Sequence, residues 1–240
     1  MNFTVEIASL KSNAADARKF EIGIPDAGPV SALLIRPRNA RAAYVFAHGA
    51  GAGMTHASMQ AIAVGLGDRG IATLRYQFPY MESGSKRPDS PAAAHRAVRA
   101  AIAAAEKCCE GLPLLAGGKS FGGRMTSQAQ ALSPLADVRG LVFLGFPLHP
   151  AGKPSSDRAE HLSGIRIPML FLQGTRDALA EPALLQPVVK GLGRLATLHP
   201  VEEADHSFHV LKRSGRTDRE VLDEILDAFA SWVDGILHRP

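Results

Sequence analysis

The chain has 240 residues, 46% of them apolar and 21% charged, with a formal net charge of +4. That length suffices for one α/β core removing roughly 70–75% of the extended-chain surface from water, and the composition is ordinary for a soluble globular protein. The basic residues are dispersed apart from Lys212, Arg213, Arg216 and Arg219, which have no interleaved aromatic platform, and no run of about 18 uncharged apolar residues occurs; these features argue against nucleic-acid binding and against a membrane span.

From the N-terminus, Met1 to Asp16 carries Glu6 and lacks a basic segment followed by an apolar core, so no secretory signal is expected. Segments 20–24 and 30–35 flank Pro25-Asp26-Ala27-Gly28-Pro29 and predict an antiparallel hairpin. A buried strand over 42–47 is followed by a glycine loop and a helix over about 58–66; the next strand runs from Ile71 to Phe78 and stops at Pro79. An alanine-rich helix spans about 91–110, its apolar run broken by Arg96 and Arg99. A short strand from Leu114, a helix to about Leu132 and a strand over 140–146 come next. A proline-marked linker then leads to a brief helix near 158–162. Strand 168–173, helix 182–190, strand 196–201 and a helix over about 218–237 complete the order. In the last helix Val221, Leu222, Ile225, Leu226, Phe229 and Trp232 recur at helical spacing and predict a core-facing stripe.

This alternation predicts an α/β fold, a mostly parallel sheet with helices on both faces. Without an internal repeat, a low-complexity tract or a linker, a single domain over 1–240 with its core from about residue 20 is expected. Cys108 and Cys109 are helical neighbours that point apart, so reduced thiols and a cytoplasmic address follow. Only about 20 residues separate Phe146 from Pro168, which leaves little material for a cap and predicts a shallow, open site.

The chemistry centres on Gly118-Lys119-Ser120-Phe121-Gly122 between an apolar strand and a helix. There Gly-x-Ser-x-Gly reads as the nucleophile elbow of an α/β-hydrolase fold, a turn that lifts the serine hydroxyl to a helix N-terminus. The bare pattern arises by chance in roughly one such chain in seven, and its plainer reading is a glycine-rich turn with a solvated serine. A phosphate-binding loop would need a glycine five residues before Gly118, where Pro113 stands.

A serine hydroxyl needs a base, and the base needs an acid that fixes its tautomer. In this fold the chain order is serine, acid, histidine. Asp177 ends the turn after an apolar strand, and His206 follows the last strand. Glu202, Glu203 and Asp205 are the alternative acids, and Asp177 could instead cap the next helix. Two oxyanion donors are required: the N–H of Phe121, and one from the loop His48-Gly49-Ala50-Gly51-Ala52-Gly53-Met54, namely Ala50 or Gly51. That loop could also be only a tight turn into a helix. Residues His48, Tyr80, Met81, Lys119 and His149 are expected to bind substrate, with Arg87, Arg124 and Lys153 at the same edge. Lys119 and Arg124 could orient an acidic substrate or brace the loops. No metal or cofactor is expected, because the remaining histidines have no ligand spacing.

Taken together and in order, His48-Gly49-Ala50-Gly51-Ala52-Gly53-Met54, Phe78-Pro79-Tyr80-Met81, Lys86-Arg87-Pro88, Gly117-Gly118-Lys119-Ser120-Phe121-Gly122-Gly123-Arg124, Gly174-Thr175-Arg176-Asp177 and Asp205-His206-Ser207-Phe208 resemble a small α/β-hydrolase family. It takes in predicted bacterial hydrolases, testis-expressed proteins and the hydrolase-like region of a chromatin-acetylation complex subunit. The chain is similar, more distantly, to dienelactone hydrolases, which use cysteine where Ser120 stands. The resemblance implies Ser120 as nucleophile, Asp177 as acid and His206 as base, and a small ester, thioester or lactone as substrate. It leaves open a catalytically silent binding module and acyl transfer, and gives neither the natural substrate nor the oligomeric state.

Overall fold

The computed structural model describes residues 17–238; the expectation of no secretory signal in the first sixteen residues lies outside them. Eight strands form one sheet: β1 (Arg18–Ile24), β2 (Gly28–Ile35), β3 (Ala42–Ala47), β4 (Ile71–Tyr76), β5 (Leu114–Lys119), β6 (Val138–Leu144), β7 (Met169–Gly174) and β8 (Ala196–Val201). Their order is β1-β2-β4-β3-β5-β6-β7-β8. The β1–β2 and β2–β4 pairs are antiparallel, and the remaining pairs are parallel. From β3 the chain steps outward to β4 and then returns past β3 to β5. The crevice at the carboxyl ends of β3 and β5 is therefore the topological switch point, where open α/β sheets place their ligands.

Among the described residues six α-helices cover the sheet: α1 (Ala57–Asp68), α2 (Pro79–Glu82), α3 (Pro91–Cys108), α4 (Phe121–Leu132), α5 (Pro182–Gly191) and α6 (Asp218–Leu237). The central strands are buried on both sides and read as continuous apolar runs, as parallel strands must. Alternate residues of β3 divide between two cores. Ala42, Tyr44 and Phe46 pack with α1 and α6; Ala43, Val45 and Ala47 pack with the cluster that takes in α3, α4 and α5. Helix α6 begins with a capping box in which Thr217 and Glu220 satisfy each other's backbone N–H groups. It buries Val221, Ile225, Leu226, Phe229 and Val233, and Phe229 meets Tyr44 edge-on with ring centroids 4.9 Å apart. Leu222 and Trp232 of the expected stripe are only partly buried, at its margins.

Several boundaries differ from expectation for local reasons. Strand β4 stops at Tyr76 because Pro79 starts the four-residue α2, with Phe78 as its N-cap. Gly145, at φ 69°, takes the chain out of β6 two residues before Phe146. The brief helix expected near 158–162 is a 3-10 turn over Asp157–Gly164. That turn packs beside α4 and is the only helical structure between β6 and β7.

The junction of β5 and α4 is tightly packed. A Cβ on Gly118 would stand 2.4 Å from the Ala47 carbonyl oxygen, and one on Gly122 2.6 Å from those of Ala47 and His48. Only glycine lets α4 approach the end of β3 so closely. Ser120, between them, is held at φ 49° and ψ −113°, backbone that costs a residue with a Cβ about 1–3 kcal/mol.

Two outcomes test this description. Phe229→Ala should lower unfolding free energy by about 3–5 kcal/mol, seen as an earlier urea midpoint. Both Ser120→Gly and Ser120→Ala lose the hydroxyl, yet the glycine variant should be the more stable by about 1–2 kcal/mol. The reverse ranking would mean that Ser120 is unstrained.

Candidate active site

Three segments at the carboxyl ends of parallel strands β5, β7 and β8 converge at one rim of the sheet. Ser120 follows β5, Asp177 lies three residues past β7, and His206 lies in the loop after β8. The Ser120 N–H donates to the Leu144 carbonyl at 3.1 Å, tying the strained turn to the end of β6.

The Ser120 Oγ is 2.9 Å from Nε2 of His206. On the other side of that ring, Nδ1 is 2.6 Å from Oδ2 of Asp177. Asp177 is 1% exposed, and its carboxylate is fully occupied by donors. The Gln173 side-chain amide donates to Oδ2 at 2.5 Å and the Leu179 N–H donates to Oδ1 at 2.8 Å. A carboxylate accepting at both oxygens fixes Nδ1 as the protonated ring nitrogen, which leaves Nε2 to accept from the serine. Gly145 makes room for the ring, since a Cβ there would lie 3.3 Å from Nδ1 of His206.

The alternative acids are occupied elsewhere. Oδ1 of Asp205 accepts from the N–H groups of Ser207 and His209, which shapes the loop that carries His206. Glu202 and Glu203 are exposed. Helix α5 has Glu181 at its N-cap, so Asp177 does not cap it.

Among the described residues, no backbone acceptor takes the N–H of Phe121, Ala50 or Gly51. Phe121 opens α4, where the first N–H groups have no partner within the helix. Ala50 and Gly51 are exposed at the rim, and Gly49 lies against Ser120, a Cβ on it standing 3.9 Å from that of Ser120.

Five buried or half-buried polar side chains hold this glycine loop and its neighbours. His48 is fully buried: its Nδ1 faces the Gly49 carbonyl at 2.7 Å, and its Nε2 accepts from the Phe78 N–H at 3.0 Å. Burial lowers its pKa, outweighing the Gly49 hydrogen bond, so the ring is neutral with the proton on Nδ1. The Tyr80 hydroxyl donates to the Ala50 carbonyl at 2.8 Å; burial, then the nearby Asp89, pushes its pKa up to about 12. Gln77 accepts from the Met54 N–H at 2.8 Å. Arg75, buried in β4, donates to the Met54 carbonyl at 3.0 Å and to Gln60 at 2.6 Å. Lys119 donates to the His206 carbonyl at 2.6 Å, with its ammonium 5.0 Å from the Phe208 ring centroid. Burial draws its pKa down to about 8, against the pull of Asp177 and Asp205.

Four of the side chains expected to bind substrate make hydrogen bonds to the protein itself. The polar atoms of His48, Tyr80 and Lys119 are spent on protein carbonyls and amides around the site. His149 is buried between the Glu181 carboxylate, 2.5 Å from Nε2, and the Pro150 carbonyl, 2.9 Å from Nδ1. Through these bonds all four help to set the geometry of the loops around the site. Met81 is half-buried against the core, while Arg87 and Lys153 are exposed. Sequence reasoning did not single out Gln173, Gln77 or Arg75. The available signal was a polar side chain at the carboxyl end of an otherwise apolar strand.

Residues 40–234 match the family described as alpha/beta hydrolase domain. Among solved structures, the chain is similar to a lidless α/β serine hydrolase of Xanthomonas campestris, with 17% identity, TM-score 0.71, and coverage of 94% of this chain and 98% of that one. It is similar to a dienelactone hydrolase of Anabaena variabilis, with 17% identity, TM-score 0.73, and 92% and 99% covered. A third likeness is to Est1E of Butyrivibrio proteoclasticus with ferulic acid bound, at 15% identity, TM-score 0.71, and 92% and 100% covered. At such identities the likeness is one of fold. The family match spans most of the sequence, and with the parallel sheet and its elbow it establishes that this chain belongs to the α/β-hydrolase family.

Proposed function

We propose that the protein is a one-domain serine hydrolase that cleaves a small carboxylic ester, thioester or lactone through an acyl-enzyme on Ser120. The observation that carries this reading is the unbroken hydrogen-bonded path from Ser120 Oγ through His206 to Asp177, at 2.9 and 2.6 Å. Such distances let a proton leave the hydroxyl as the new bond forms.

In the first half-reaction Oγ attacks the acyl carbon while Nε2 of His206 takes its proton. The carbonyl oxygen becomes an oxyanion, received by the N–H of Phe121 and one from Ala50 or Gly51. Collapse expels the alkoxide or thiolate, and His206 returns the proton to it. In the second half a water gives its proton to His206 and attacks the acyl carbon. The tetrahedral species releases Oγ, which recovers the proton, and the free acid leaves. Asp177 stays ionised throughout and stabilises the imidazolium.

Esterase and dienelactone hydrolase neighbours support hydrolysis of a carboxylic ester rather than another bond. Met81 and the Tyr80 ring are the walls we assign to the substrate cleft. Free Cys108 and Cys109 support a reducing compartment, the cytoplasm. The motif resemblance to testis-expressed and chromatin-complex proteins supplies a second reading, a silent binding module. The intact path to Ser120 favours turnover.

With 4-nitrophenyl acetate, Ser120→Ala should lower kcat by about 10⁴ or more without shifting the melting temperature far. Asp177→Asn should cost about 10⁴ by presenting the wrong tautomer, and Asp205→Asn much less. Equal turnover by wild type and Ser120→Ala would remove the reading for that substrate, and a larger loss from Asp205→Asn would reassign the acid.

A further inference from the structure

Arg124 stands in the first turn of α4, its N–H bonded to the Ser120 carbonyl at 3.1 Å. Residues four apart share a helix face, and helical side chains lean towards the N-terminus. The Arg124 side chain therefore leans towards the Ser120 end of the helix. Its guanidinium carbon is 5.9 Å from the ring centroid of Phe121, whose N–H is the proposed oxyanion donor.

This guanidinium has no partner among the described residues. Its Nε is buried without an acceptor. The Nε atoms of Arg75 and Arg96 are buried without an acceptor too, but Arg75 donates through its other nitrogens, and Arg41, Arg69 and Lys119 also donate to named oxygens. The surrounding groups add no negative charge. Burial, then Arg158 on the 3-10 turn, lowers the Arg124 pKa. Burial, then Arg124 and His95, draws His161 down to about 4, which keeps that ring neutral. Asp157 and Glu160, on the same turn as Arg158, are exposed and make no ion pair with either arginine. A half-buried guanidinium offers five N–H groups in a planar fork, and here the buried Nε–H lacks an acceptor, which is costly. A carboxylate matches that fork in shape and charge.

Building on the Ser120 reading, we propose that the substrate's acyl chain ends in a carboxylate received by Arg124, with Arg158 adding positive charge. The preferred ester is then a half-ester of a short dicarboxylic acid. The guanidinium lies against the ring of the residue next to Ser120, which calls for an acyl chain of only a few carbons. The same Arg124–Arg158 pair would disfavour cationic acyl groups.

The test compares monoethyl glutarate with ethyl pentanoate, equal in acyl carbon number and different in terminal charge, by pH-stat titration. Wild type should show kcat/KM at least about tenfold higher for the half-ester, and Arg124→Gln should lower that ratio at least about tenfold. Arg124→Lys, which keeps the charge and loses the fork, should fall between. If Arg124→Gln does not fold, Arg158→Gln decides: a lowered ratio supports the proposal and an unchanged one overturns it. Hydrolysis of ethyl pentanoate at an equal or higher kcat/KM overturns the carboxylate assignment and leaves the hydrolase standing. Failure to turn over either ester or 4-nitrophenyl acetate overturns both.

Discussion

Everything at the rim depends on how closely α4 approaches the carboxyl end of β3. Two glycines without side chains, Gly118 and Gly122, let backbone stand where a methyl group would collide with the Ala47 carbonyl. That closeness forces Ser120 into positive φ, which turns its hydroxyl outward and aims the first N–H of α4 at the same space. The strain is supported by the parallel sheet: β3, β5 and β6 are hydrogen-bonded on both sides, and Ser120 is itself tied to Leu144. A strained residue persists only where the surroundings over-determine it, and this one sits between two glycines whose sites have no room for a Cβ.

Around that junction, burial and chemistry impose the same requirement. Polar groups under the loops must find partners because water is excluded, and the partners they find fix the loops. His48 bridges Gly49 and Phe78, Gln77 and Arg75 hold Met54, Tyr80 holds Ala50, and Gln173 links Phe146 to Asp177. Lys119 gives its desolvated ammonium to the backbone of His206 rather than to solvent. The loop amides and the His206 ring are thereby held in place by the fold itself, and preorganisation of this kind is a usual source of electrostatic stabilisation in enzymes. Arg124 departs from this pattern, being the half-buried cation near the serine whose fork no described residue answers.

The succession of strands and helices in the parallel half was readable because β-branched and apolar runs alternate with helical spacing between glycine and proline breaks. Strands β3 and β8 and helix α6 have the bounds that pattern gives. Ser120, Asp177 and His206 stood out because each follows a strand and a parallel sheet delivers all such positions to one edge. What each buried polar side chain does there was not readable. Whether Lys119 or His149 faces a ligand or a carbonyl depends on side-chain direction, which distant packing decides. Gln173 and Gln77 stood at strand ends as unremarked polar residues because their contacts, to Phe146 and to Met54, reach other loops. Helix α2 was missed because a four-residue helix starting at proline has no periodicity to detect.

The central claim is that the Ser120 hydroxyl is a nucleophile activated by His206. Treating the folded protein with a fluorophosphonate and locating the adduct by peptide mass spectrometry tests it most directly. The account predicts one phosphonylated residue, Ser120, and loss of that adduct in His206→Ala. Folded wild-type protein that stays unlabelled, or labelling that persists without His206, would contradict it.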